Sequence, residues 1–311
     1  MNNLNVSYAP HIITTPSTRK IMGYVLIALV PALIVAVYEF GARALILTVF
    51  CAVVCVFFEW LFCKMTKKES TIGDLSAVVT GVLLAYNLPS SLPFWMAAIG
   101  CFAAIFVAKN IFGGIGQNFV NPALTGRIVL FVSFATEMTS WPLPRGLMGT
   151  TDAVTGPTAL RILAEGGGNM PSNMDLFLGN VGGSLGEVSA LALIIGGAFL
   201  VWKKVISPIT PVVFVATVFI FALIAGEDPV FHILAGGVML GAIFMATDYS
   251  TTPTDWRGKI IFGVGCGVIT MMIRLFGSYP EGVSFSIIIM NIITPHIDNW
   301  CNKHFCGGGL E

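Results

Sequence analysis

Residues 21–39 read IMGYVLIALVPALIVAVYE, and residues 44–63 read ALILTVFCAVVCVFFEWLFC. Each run approaches the roughly 20 apolar residues a helix needs to cross the hydrocarbon of a bilayer. Working outward from this pair, further runs fall near 74–88, 93–111 and 119–135. After a polar stretch they resume near 187–202, 209–226, 231–247, 258–276 and 284–300. The pattern predicts an all-α polytopic membrane protein of about ten transmembrane helices. Composition agrees. Of 311 residues only 10% are charged, with mean hydropathy +0.86, whereas soluble domains carry roughly 25% charge. The chain divides into an N-terminal segment (1–20), a first membrane half (21–135), a polar loop (136–186), a second membrane half (187–300) and a tail (301–311).

Charge sets the orientation. Arg19, Lys20, Lys64, Lys67, Lys68, Lys109, Lys203, Lys204, Arg257, Lys259 and Lys303 fall on one side of this arrangement. Arg43, Arg145, Arg161 and Arg274 fall on the other, and Arg127 lies inside a span. The positive-inside bias predicts a multi-pass protein of the cytoplasmic (inner) membrane, with both termini in the cytoplasm and loop 136–186 outside. Polar residues from Asn2 to Lys20 precede the first run, so no signal peptide is expected. A formal net charge of +0 gives no support to nucleic acid as a partner. The seven cysteines form no C-x-x-C pair and are expected to pack rather than to bind metal.

The halves resemble one another. Thr80-Gly81-Val-Leu-Leu-Ala-Tyr-Asn-Leu-Pro89 compares with Leu240-Gly241-Ala-Ile-Phe-Met-Ala-Thr-Asp-Tyr-Ser-Thr-Thr-Pro253. With five spans per half, the second half would insert upside down relative to the first, an inverted repeat with its sites at broken helices.

Three further stretches carry chemistry. They are Gly113-Gly-Ile-Gly-Gln-Asn-Phe-Val-Asn-Pro-Ala-Leu-Thr-Gly-Arg127, Asp152-Ala-Val-Thr-Gly-Pro-Thr158 and Gly183-Ser-Leu-Gly-Glu187. In this order they resemble the RnfD-type membrane component of ion-translocating ferredoxin:NAD+ oxidoreductases (Rnf complexes), and the related NqrB-type component of sodium-translocating quinone reductases. The short stretch before the first span favours the Rnf relative. In both families the last Thr of such a motif carries FMN through a phosphoester. The resemblance therefore implies covalent FMN at Thr158, with Asp152, Thr155 and Gly156 recognised by a separate flavin transferase. Pro157 stands where relatives often have Ala. Thr155, Gly156 and Pro157 suggest a tight, exposed turn suited to entering another active site.

Asn118 and Asn121, three apart at the start of the fifth span, are expected to share a helix face. Side-chain amides both donate and accept, as the edge of an isoalloxazine requires. The resemblance implies that they hold a non-covalent riboflavin near the cytoplasmic face; helix capping and interhelical bonding are the alternative. Among acids, Asp74 and Glu187 are expected to begin helices. Asp248, at the end of a broken apolar run, is the better candidate for an ion path, and Glu187 a lesser one, against helix-end roles.

The chain has no Rossmann glycine pattern and no cluster-binding cysteine set, so NAD and iron–sulfur centres belong to other subunits. The function implied by the resemblance is a bilayer-embedded flavoprotein subunit of a redox-driven pump. It would carry flavins between ferredoxin and NAD+ while Na+ or H+ is translocated, among other membrane and peripheral subunits. A quinone reductase component, a urea-channel-like transporter with no redox role and a structural scaffold are the competing readings.

Overall fold

The computed structural model describes residues 17–68, 71–144, 155–156, 158–165, 170–187, 189–277 and 281–305. Ser17 caps α1 (Thr18–Phe40) by accepting from the amide of Lys20. Gly41, at φ 74°, then turns the chain into α2 (Ala42–Thr66) in a single residue, a backbone state that glycine adopts without steric cost. These two helices and α13 (Trp256–Phe276) are long and apolar enough to cross a membrane.

The other apolar runs give shorter pieces. A 3-10 turn (Ile72–Asp74) leads into α3 (Ser76–Tyr86). At 11 residues α3 is about 16 Å long, half the hydrocarbon thickness. Helix α4 (Phe94–Phe102) continues as a π-helix (Ala103–Asn110). Next come α5 (Pro122–Ser133) and α6 (Ala135–Met138). In the polar loop, β1 (Trp141–Pro142) pairs antiparallel with β2 (Thr155–Gly156), followed by α7 (Ala159–Glu165) and α8 (Asn173–Leu178).

The second half contains α9 (Ala190–Trp202), α10 (Ile209–Ala225), α11 (Pro229–Leu234), α12 (Val238–Leu240) extended by a π-helix (Gly241–Met245), α13 and α14 (Val283–Phe305). The run at 231–247, read from sequence as one span, is broken. Gly236 and Gly237 stand at φ 66° and 71°, which ends one helix and starts another. A Cβ at Gly237 would lie 2.3 Å from Oε1 of Glu187, so this crossing of the break requires glycine.

In the first half α2 packs on α1, α3 and α4, and α4 on α5; in the second, α10 packs on α11 and α13, and α13 on α14. Between halves, α1 packs on α9 and α5 on α14. Small residues bring backbones close, as is usual where helices associate in lipid. A Cβ at Gly81 would meet the backbone of Cys51 and Ala52 at 2.7 Å. The main core runs through both halves. A second, smaller cluster joins Ala159, Leu160 and Leu176 of the loop to Phe231 and Ala235, seating the loop on the broken element.

Candidate functional site

Where the short helices end, a cavity opens between the halves. Met22 and Val25 of α1, Leu200 of α9 and Phe244 form its apolar wall. Ser76, Lys109, Asn118, Asn121, Asp248 and Ser250 form its polar rim.

Asn118 and Asn121 both line this cavity, but they do not share a helix face. Gly113, Gly114 and Gly116 all have positive φ, and α5 starts only at Pro122, so Asn118 stands in the loop before it. Its Nδ2 donates to the carbonyl of Val120 at 3.2 Å and to Asp248 Oδ2 at 3.5 Å. Its Oδ1 accepts from Ser250 at 3.0 Å. Asn121 caps α5, its Oδ1 accepting from the amides of Ala123 and Leu124. Its Nδ2 donates to the carbonyl of Met245 at 3.2 Å, tying α5 to the broken element of the other half. The capping role expected as an alternative thus belongs to Asn121, while Asn118 joins the network around Asp248.

Asp248 accepts on Oδ2 from Asn118, Ser250 and Thr251. Sequence reading gave it a role apart from the flavin-binding amides; the structure puts it in their hydrogen-bond network. Lys109, also in the lining, is buried and ion-paired with Glu59 at 2.8 Å.

Thr158 lies beside a second, smaller cavity with Leu160, Gly182, Glu187, Gly236 and Glu281. Its hydroxyl accepts from the amide of Arg161 at 3.3 Å at the start of α7. The residue is buried, with 8% exposure, where the turn chemistry predicts an exposed site. The difference arises because Ala159 and Leu160 pack under the loop and draw Thr158 in with them. Thr155 and Gly156 form β2; Asp152 and Pro157 lie outside the described residues.

Glu187 does not begin a helix. Ser189 caps α9, and Glu187 instead pairs with Arg127 at 3.5 Å. Arg127 also donates to Glu281 and, at 2.8 Å, to Asn87 Oδ1 at the end of α3. Arg274 donates to the carbonyls of His232, Ala235 and Gly236, satisfying groups that the helix break leaves without intrahelical partners. Helix α5 thus joins the two cavities. Its cap, Asn121, faces one, and Arg127, six residues on and about 9 Å along the axis, binds the carboxylates lining the other.

Sequence reading did not assign Arg127, Glu281 or the Lys109–Glu59 pair to a site. Arg127 and Glu59 carried a signal, since a charge inside an apolar run demands a partner. Nothing in the one-dimensional pattern marked Glu281.

Helices long and apolar enough to span, two helices cut short, and buried ion pairs at the cuts define an integral membrane protein with an internal polar site. The chain belongs to the NQR2, RnfD, RnfE family, whose sequence model matches residues 5–307. It is 49% identical over 308 residues (98% of this chain, 96% of the relative) to the D component of the Na(+)-translocating ferredoxin:NAD(+) oxidoreductase complex of Acetobacterium woodii. It is 42% identical over 315 residues (96% and 95%) to the D component of the proton-translocating ferredoxin:NAD(+) oxidoreductase complex of Clostridium ljungdahlii. The corresponding component of an ion-translocating oxidoreductase complex of Actinobacillus succinogenes matches at 34% over 346 residues (97% and 98%). These matches bear out the resemblance drawn from the three motifs.

Proposed function

We propose that this chain is the membrane flavoprotein subunit of an ion-translocating ferredoxin:NAD+ oxidoreductase complex. In this reading FMN is attached to Thr158 by a flavin transferase, and riboflavin is held without a covalent bond in the cavity of Asn118, Asn121 and Asp248. The observation that carries it is the pairing of two cavities by one helix, α5, one holding the motif threonine and the other the motif asparagines. The donor set fits a flavin. An apolar wall suits the ring face and methyl edge, while amide, hydroxyl, ammonium and carboxylate groups suit its polar edge and ribityl chain. Bound there, the flavins supply one- and two-electron chemistry; the chain positions them, excludes water and sets the surrounding charge. Na+ and H+ relatives are both found, and Asp248, with Glu187, is the candidate for the ion path. Part of the packing supports the inverted repeat: the contacts of α2 with α3 and α4, and of α4 with α5, recur as those of α10 with α11 and α13, and of α13 with α14, whereas among the described residues the α1–α2 contact has no such counterpart between α9 and α10.

The double variant Asn118→Ala/Asn121→Ala tests the cavity. Each lost buried partner costs about 1–3 kcal/mol of binding, so together they are expected to remove the acid-extractable flavin and spare the covalent one. Extractable flavin that stays stoichiometric would place that site elsewhere.

Topology is tested separately. Met174, exposed on α8, is replaced by cysteine in a cysteine-free background. An impermeant maleimide is expected to label it in intact cells; labelling only in inverted vesicles would reverse the orientation.

A further inference from the structure

Lys109 ends the π-helical continuation of α4 and lines the larger cavity. An ammonium carries three N–H donors. One goes to Glu59 Oε1 at 2.8 Å and another to Ser76 Oγ at 2.5 Å. Ser76 donates its own proton to Asp74 Oδ1 at 2.6 Å, so its oxygen is free to accept. Glu59 Oε1 also accepts from Thr71 at 2.8 Å, which braces the carboxylate on the side of α2. Lys109 is therefore held from behind by two bonds, and among the described residues its third N–H has no acceptor. Asp248 lines the same cavity, so its lining carries both an ammonium and a carboxylate.

We infer that Lys109 is the cationic anchor of this cavity. It donates to the pyrimidine-edge carbonyl of the isoalloxazine and holds the reduction potential of the ring up, while Glu59 limits how much of that charge the ring feels. This inference rests on the cavity being the site of the non-covalent flavin. Reduction adds negative charge at the N1–C2=O edge, and a cation there favours the reduced form. In a buried setting the effect is weakly screened. Asp248, an acceptor in the same lining, would then take the donor groups of the flavin, its N3–H or ribityl hydroxyls.

The test is a spectroelectrochemical titration of the extractable flavin in the assembled complex. Lys109→Met alone strands the buried Glu59 carboxylate, whereas in Glu59→Gln the amide oxygen still offers Lys109 an acceptor beside Ser76, so the informative comparison is Glu59→Gln against Lys109→Met/Glu59→Gln. Glu59→Gln is expected to raise the potential above wild type. The double variant is expected to lie below Glu59→Gln by at least tenfold in the one-electron equilibrium, about 59 mV, or to lose the flavin. Lys109→Arg is expected to retain both flavin and potential. A double variant indistinguishable from Glu59→Gln overturns the inference, and so does Lys109→Arg behaving as badly as the double variant. Wild-type complex with no extractable flavin, or Asn118→Ala/Asn121→Ala with its full complement, instead sinks the cavity reading itself.

Discussion

Thr158→Val is expected to abolish the flavin fluorescence that survives denaturation on a gel, with no FMN mass on the intact chain when it is produced with its transferase. Valine keeps the shape of the side chain and removes the acceptor oxygen. Structural cost is small by comparison. The hydroxyl accepts one bond, from the amide of Arg161 at the start of the seven-residue helix α7, and losing such a cap costs about 0.5–2 kcal/mol. Extractable flavin is expected to remain, since Asn118, Asn121 and Lys109 line a different cavity. Burial of Thr158 adds a condition. On the proposed reading a transferase would have to reach a residue that is buried in the folded chain, so attachment is expected before the loop seats on Phe231 and Ala235, or during its opening. Fluorescence that persists in Thr158→Val would move the acceptor to another residue.

Arg127→Met is expected to destabilise the protein more than Thr158→Val or either asparagine change. The guanidinium stands between Glu187 and Glu281 and holds the amide oxygen of Asn87. Its side chain is only 6% exposed and that of Glu187 7%. Removing one partner of a buried ion pair typically costs about 3–5 kcal/mol, because the remaining charge is left uncompensated. Here two carboxylates lose a cation that both contact, and Asn87 at the end of α3 loses its donor. Thermal unfolding in detergent measures the loss. The double variant Arg127→Met/Glu187→Gln is expected to recover a large part of it, since the remaining Glu281 carboxylate then still has the buried Arg274 guanidinium to compensate it. An unchanged midpoint in Arg127→Met would show that water or lipid headgroups already screen the pair.

The sequence by itself determined the class of protein and singled out the candidate site residues. Apolar runs of near-spanning length at 21–39, 44–63 and 258–276 became the long helices α1, α2 and α13, because hydrocarbon leaves a backbone few ways to satisfy its hydrogen bonds. The three motifs named the family, and Asn118, Asn121, Thr158 and Glu187 all line one or the other cavity. What hydropathy does not resolve is how an apolar run is cut. Residues 231–247 are as hydrophobic as a span, yet two left-handed glycines divide them. Residues 74–88 yield only 11 residues of α-helix. Periodicity likewise placed Asn118 on a helix that Pro122 and the preceding glycines start later.

Only the tertiary structure decided which charges meet. Lys109 and Glu59 are 50 residues apart, and Arg127 and Glu281 are separated by 154. A charge inside an apolar stretch announces that it needs a partner, but the identity of that partner depends on how the helices pack, within a half for Lys109 and Glu59 and between halves for Arg127 and Glu281. The same holds for Asp248, which a linear reading places at the end of a broken apolar run as an ion-path candidate and which packing turns into a neighbour of Asn118. Burial of Thr158 has the same origin. Turn residues specify a tight bend, and only the seating of Ala159 and Leu160 against α11 determines whether that bend faces water or protein.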